Sequence, residues 1–238
     1  LVTYLESVGF HSVQLLGSRE ILKLDSPSSL VLVQDRSIIA IGRGAKGASM
    51  LFPWVSAGIS QYIDNYDMQF LSQFQGILLY DYRYHSRAKA ETMLSDLADQ
   101  GKTVINDLIG QSGTGLFNVY PIPTTLDSTP AFQKSAEAEM FQDSAVNIGA
   151  SEEGTTWMGN SFSGTDVTLI STRVQDRDYP VIGYKLVGGN KVYFSGFSLL
   201  NHAIDGNNAG AGRLVETLLD QAEPNKSIAP APFPTINE

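Results

Sequence analysis

The stretch SIIAIGRGAKGASMLFPW, residues 37–54, decides how the chain is read. Its first part is an apolar run with β-branched Ile38, Ile39 and Ile41, the composition of a strand buried on both faces. The run ends in Gly42, Gly44 and Gly47, the G-x-G-x-x-G spacing that cradles a dinucleotide pyrophosphate. That fingerprint also needs a helix opening at the third glycine and an acid about 20 residues on, after the next strand. Pro53 would interrupt such a helix. The next strand is GILLYDYRYH, residues 76–85, and its Asp81 comes too late; Asp64 and Asp67 are nearer but follow no strand. The stretch therefore reads as a strand entering a glycine-rich loop, where backbone can approach a site, and not as a nucleotide cradle.

Outward from this strand, the spacing predicts helical stretches at about 54–63 and 67–74, then the buried strand GILLYDYRYH. A helix is expected from Ser86 to Gln100, with Ser86 as N-cap, Ala88, Met93, Leu94 and Leu97 as apolar contacts, and Gly101 as the stop. KTVINDLIG, residues 102–110, follows as a third buried strand. Strand, helix, strand alternation favours right-handed crossovers and a parallel sheet, whose sites form at strand carboxyl ends. Those ends carry Gly42-Arg43-Gly44, Asp81 to His85, and Asn106-Asp107. Beyond residue 116 the chain turns β-rich, with AFQKSAEAEMFQ as a short helix and Gly188-Gly189-Asn190 as a hairpin signal. A last helix is expected at about 208–222. Before residue 36, LVTYLESVGF reads as an amphipathic helix closed by Gly9, and HSVQLLG, REILKLD and SLVLVQD as short strands.

Composition narrows the classes. The 238 residues are 42% hydrophobic and 17% charged, a globular balance able to bury a full core. Net charge is −9 with 16 Lys and Arg, and no segment gathers five basic residues, so a nucleic-acid footprint is missing. There is no cysteine, which removes disulfides, thiolate nucleophiles and sulfur-ligated zinc together. His11, His85 and His202 are far apart, which argues against a histidine metal site, and no cofactor is expected. No run is long and apolar enough to span a membrane. The start at Leu1 reads as that of a piece of a longer protein.

The candidate ligand-binding residues are Asp81, Tyr82, Arg83, Tyr84, Asn106, Asp107 and His202. Asp81 to Tyr84 could bind a sugar or carboxylate, or Asp81 and Arg83 could pair with each other while the tyrosines pack. Asp107 could act as a base, or accept from the amides of Gln111 to Gly115. His202 has no nucleophile at a known spacing. Ser112 in GQSGTG fails the nucleophile-elbow pattern because Thr114 stands where the second glycine belongs. Trp54, Trp157, Tyr82 and Tyr84 could make a carbohydrate platform, or belong to the core.

GILLYDYRY, the helix SRAKAETMLSDLADQGK, the strand TVINDLIG, a β-rich insert and GYKLVGGNKVYFSGFSLLNHA together resemble the class I glutamine amidotransferase-like fold. The likeness covers residues 36–222 and lies in strand spacing. The catalytic Cys of that family would fall at about Asn106-Asp107-Leu108 and its His in Phe194 to Ser198; neither is present, so the resemblance implies fold and argues against glutamine hydrolysis. The N-terminal segment is similar to soluble domains of bacterial polytopic membrane proteins, described as 6-pyruvoyl-tetrahydropterin synthase-related or glycosyltransferase-like, which implies an extracytoplasmic place with a cytoplasmic one as the alternative.

The resulting expectation is an α/β fold: a three-layer flavodoxin-like sandwich with a mostly parallel sheet, a β-rich insertion at about 140–180 and a small N-terminal β element. Residues 1–35 would form a helix and β element packed on the main domain, 36–222 the amidotransferase-like domain, and 223–238 a Pro-rich extended tail. The expected function is non-catalytic binding of a carbohydrate or small polar ligand, or of a protein partner or the remainder of a membrane-anchored chain, with no nucleic acid. The alternatives are a hydrolase of a polar substrate such as a carbohydrate, using Asp81, Arg83, Asp107 and His202, and a self-association module. Convergence of Asp81, Asp107 and His202 on one pocket would favour the hydrolase.

Overall fold

The computed structural model describes residues 14–16, 19–23, 31–35, 37–113, 115–126, 131–146, 157–205 and 208–222. The N-terminal helix and the Pro-rich tail expected above lie outside these residues. Strands β1 (Gln14–Leu16), β2 (Arg19–Lys23) and β3 (Val31–Asp35) form an antiparallel three-stranded sheet of their own.

The main sheet starts from three apolar runs. β4 (Ile38–Ile41), β6 (Gly76–Tyr80) and β7 (Thr103–Asp107) are parallel neighbours, buried almost throughout. Alternation sends their side chains to two cores. Ile38, Ala40, Leu78, Tyr80 and Ile105 face one layer, and Ile39, Ile41, Ile77, Leu79 and Val104 face the other. The first layer is covered by α1 (Ala45–Leu51), α5 (Leu199–Ile204) and α6 (Ala209–Asp220); the second by α3 (Arg87–Asp99) and by the short α2 (Met68–Leu71) through Leu71. The Ser86 hydroxyl caps α3 by accepting from the Lys89 amide at 3.3 Å. Gly101 then takes a φ of +78° that favours glycine.

The segment expected as a helix over 54–63 differs. α1 ends at Leu51, with the extended Phe52 as its C-cap just before Pro53, and β5 (Val55–Ala57) pairs parallel with β4 at the sheet edge. Pro53 has no N–H to continue the helix, and the Gly58 amide instead donates to the Ala40 carbonyl at 2.7 Å.

The remaining strands are β8 (Tyr120–Leu126), β9 (Phe132–Lys134), β10 (Trp157–Ser163), β11 (Val167–Val174), β12 (Arg177–Val187) and β13 (Asn190–Ser195). A four-residue helix, α4 (Asp143–Val146), lies between β9 and β10, and part of the segment expected to be helical is β9. The eight-stranded sheet runs β5-β4-β6-β7-β13-β12-β11-β9, while β8 and β10 make a separate antiparallel ribbon.

This arrangement corrects the expected three-layer flavodoxin-like sandwich with a mostly parallel sheet. The pairings from β5 to β13 are parallel and those from β13 to β9 antiparallel, so the sheet is mixed. The reason is local. Gln175-Asp176 joins β11 to β12 and Gly188-Gly189 joins β12 to β13, and two-residue turns can connect only antiparallel strands. Of the β-rich segment expected as an insertion at about 140–180, β11 and the start of β12 belong to the main sheet and β10 to the separate ribbon.

The three glycines of residues 37–54 serve packing. A Cβ on Gly42, whose φ is +134°, would lie 1.8 Å from the Tyr80 carbonyl oxygen. One on Gly44 would lie 2.0 Å from the Tyr80 ring, and one on Gly47 3.1 Å from Ile204. The exit of β4 can thus close against the end of β6 only where side chains are absent. Gly42→Ala should destabilise the protein by about 3 kcal/mol or more, since it adds overpacking to a disfavoured φ. Gly212→Ala, in the α6 interior with its nearest neighbour 3.9 Å away, should stabilise it by roughly 0.5–1 kcal/mol. Urea unfolding of both variants checks this; equal effects would contradict it.

Candidate functional site

Order and direction single out one edge. β5 lies on one side of β4 and β6 on the other, so the chain reverses direction across the sheet between these strands, the general location of ligand crevices in α/β sheets. At the ends of β4 and β6, Arg43 and Asp81 meet. Arg43 Nε lies 2.8 Å from Asp81 Oδ2, and its Nη2 donates to Oδ1 at 2.9 Å, a two-pronged fork. The hydrogen bond and then the charge of Asp81 raise the Arg43 guanidinium above its ordinary value. Asp81 adopts a φ of 53°, and its carbonyl accepts from the Arg43 amide at 3.1 Å. Arg83 stands behind it: Nη1 donates to the Tyr82 carbonyl at 2.9 Å and the Gly110 carbonyl at 3.3 Å, and lies 3.6 Å from Asp81 Oδ1.

Two cavities open here. One of about 240 Å³ is bounded by Arg43, Tyr80, Asp81, Asn201 and Asp205 among others. The second, of about 440 Å³, lies between Arg43 and the loop Gly58 to Tyr62. The Tyr80 hydroxyl donates to Asn201 Oδ1 at 3.3 Å. Burial pushes its pKa up, helped by the charges of Asp107, Asp205 and Asp81.

The other strand ends are roofed. β10 packs on the loops that leave β7 and β13: Asn160 Nδ2 donates to the carbonyls of Leu108 and Gln111, both at 2.9 Å. The Phe197 amide donates to the Asn160 carbonyl at 2.8 Å. The contact is close: a Cβ on Gly159 would sit 2.8 Å from Phe197 Cα. Asp107, at the end of β7, is 1% exposed. It accepts from the Ile109 amide at 2.9 Å and the Ser195 hydroxyl at 2.9 Å, and the Leu200 amide also favours its charged form. These donors take the place of the expected amides of Gln111 to Gly115. Burial pushes the Asp107 carboxyl up to about 6 against those donors.

The remaining sequence-predicted residues scatter. Asn106 and Asp107 are consecutive in β7 and point to opposite faces. Asn106 is buried on the α3 side, and its side-chain amide has no hydrogen-bond partner among the described residues. The buried Tyr82 phenol lies close enough for Asn106 to offset part of the upward push from burial, but the contact falls short of a formed hydrogen bond. Tyr84 packs on Tyr82 at 6.4 Å between ring centroids. His202 stacks on Trp157 at 3.8 Å, and burial lowers its pKa. It bounds neither cavity, so Asp81, Asp107 and His202 do not converge. Trp157 and Tyr82 are buried, which assigns these two to the core and not to a carbohydrate platform. His85 stacks on Tyr62 at 4.1 Å.

Sequence reading missed Arg43, Tyr80, Asn160, Asn201 and Asp205 as site or roof residues. Arg43 carried a signal: a lone cation between two glycines at a strand end. Asp64 was weighed only as a nucleotide acid. Its carboxylate accepts from the His85 and Ser86 amides at 2.8–3.0 Å and anchors the start of α3. Burial works to raise it, but those amides hold it below its ordinary value. Among the described residues no cluster of His, Cys, Asp or Glu could hold a metal. No helix among them is long and apolar enough to cross a membrane.

Asp107 yields a pH prediction. Its folded pKa of about 6 lies above the unfolded value of about 3.9, so its stabilising contribution is complete below pH about 4 and is lost as pH rises through 6. The loss is about 3 kcal/mol at 1.36 kcal/mol per pKa unit. The stability of the wild type minus that of Asp107→Asn should therefore fall across this window in urea titrations. A flat difference would contradict the buried, raised carboxyl.

The fold resembles that of a solved chain described as "mmIFT52 N-terminal domain", with a TM-score of 0.52 and 9% identity over 82% of this chain and 100% of that one. At this identity the likeness is one of fold alone. Comparison with curated proteins gives no match. The resemblance to class I glutamine amidotransferases, and to soluble domains of bacterial membrane proteins, is corrected by these findings: the comparisons point elsewhere and the sheet is mixed. Strand spacing alone carried that resemblance, and spacing does not distinguish a parallel continuation from antiparallel hairpins. Residues 37–202 match the family described as "Domain of unknown function (DUF8560)", and the chain belongs to it.

Proposed function

We propose that the chain is a non-catalytic binding domain whose open crevice, at the ends of β4 and β6, takes a small polar ligand of the carbohydrate class. The observation that carries this reading is the division of the two strand-end acids. Asp107, with the near-neutral pKa that suits a general base, is buried, its carboxylate on the Ile109 amide and the Ser195 hydroxyl. Asp81, which borders the crevice, is held by the Arg43 fork. The two acids of the hydrolase alternative do not share a cavity; the carboxylate that borders the crevice beside Asp81 is Asp205. A crevice bordered by a guanidinium, carboxylates and the Asn201 amide suits hydroxyl groups, which both donate and accept. Its cavities lie near the small end of the range for small-molecule sites. The extracytoplasmic placement expected from the membrane-protein resemblance loses its basis with that resemblance.

Titration of isotope-labelled protein with a panel of neutral and acidic monosaccharides tests this. Saturable amide shifts should cluster at Arg43, Asp81, Gly58 to Tyr62, Asn201 and Asp205, with no turnover of the matching aryl glycosides. Glycoside cleavage that Asp107→Asn abolishes would establish the hydrolase instead, and the absence of any shift at these positions would contradict the carbohydrate reading.

A further inference from the structure

Arg43 borders both cavities, and the larger one holds no other charge. Asp81 and Asp205 belong to the smaller cavity. The polar groups of the Gly58 to Tyr62 loop are largely committed. The Ser60 amide donates to the Tyr66 hydroxyl at 2.7 Å, and the Ser60 hydroxyl is bonded to Tyr62 and Asn65. The Gln61 carbonyl accepts from the Arg83 amide at 2.7 Å, and the Gly58 amide donates to Ala40.

The Arg43 guanidinium is not exhausted. Asp81 occupies its Nε and Nη2, the side-on edge. A guanidinium carries five N–H donors in a planar fork, so the end-on edge made by Nη1 and the second Nη2 hydrogen remains. The Arg43 side chain is 58% exposed. Held by Asp81 on one edge, it is pre-oriented to meet a second planar anion on the other without losing the first.

We propose that the larger cavity reads a carboxylate: the ligand is a carboxylate-bearing polyol of the uronic acid class, its acid group on the free edge of Arg43 and its hydroxyls toward Asp81 and Asn201. This rests on the carbohydrate reading above and adds the charge of the ligand to it. A carboxylate suits because bidentate pairing needs a planar acceptor, and Arg43 is the single cation bordering this cavity. A polyphosphate would need more positive charge than the crevice offers.

The test uses the intact chain, glucuronate and its methyl ester, with affinity measured by calorimetry at neutral pH. Glucuronate should bind about tenfold or more tighter than the ester, a margin of about 1.4 kcal/mol by the free-energy equivalence. Added salt should weaken the acid and spare the ester. Arg43→Gln should abolish the preference while leaving ester binding measurable, and Arg43→Lys, which keeps the charge but loses the fork, should restore little of it. Equal binding of acid and ester by the wild-type chain overturns the carboxylate proposal and leaves the carbohydrate reading standing. Binding of neither, with no amide shifts at the crevice, overturns both. The acid-to-ester comparison needs no variant, so misfolding of Arg43→Gln would not blunt it.

Discussion

The ends of β4 and β6 can meet only because Gly42 and Gly44 present hydrogen atoms where any other residue presents carbon. The Tyr80 carbonyl and ring fill the space that two side chains would need. This approach brings Arg43 within reach of Asp81 and places the fork between two cavities. It also keeps Tyr80 in the core facing α1 and α5, with its hydroxyl on Asn201. A third glycine completes the arrangement from below: a Cβ on Gly110 would lie 2.5 Å from Asp81 Oδ1. The local geometry of the crevice is thus set by absent side chains as much as by those present.

The second constraint is the β8–β10 ribbon. The strand ends from β4 to β13 form one edge of the sheet, and the ribbon lies over the loops that leave β7 and β13. Asn160 and the tight Gly159–Phe197 contact close half of that edge. Asp107 is a buried bracket between β7 and β13, and what is left open is small, polar and centred on Arg43. The consecutive left-handed residues Phe197 and Ser198 belong to the same closure, turning the chain sharply from β13 into α5.

What could be read from the sequence follows the range of the interactions. Local signals worked: double-sided apolar runs located β4, β6 and β7, Ser86 and Gly101 bounded α3, and Gly188-Gly189 marked the β12–β13 turn. β5 was missed because three residues are too few to show a period, although Pro53 placed the break before it. The polarity of the sheet was misjudged because the step from parallel to antiparallel depends on which strand β13 joins, a long-range choice. The pairing of β8 with β10 is of the same kind. Asn106 and Asp107 looked like one polar cluster in sequence, yet strand alternation sends them to opposite cores. Arg43 stood in plain view between its glycines; what concealed it was the nucleotide fingerprint, which draws attention to the glycines and away from the residue they flank.

Native-state hydrogen exchange tests the central claim, that the carboxyl edge is sealed over β7 and β13 and open at β4 and β6. The amides of Leu108, Ile109 and Phe197, bonded to Ser195, Asp107 and Asn160, should exchange only through opening events close to global unfolding. The Gln61 amide, in the loop bordering the larger cavity, should exchange through small local fluctuations. Fast exchange at Ile109 and Phe197, comparable to that at Gln61, would show that the ends of β7 and β13 are not sealed.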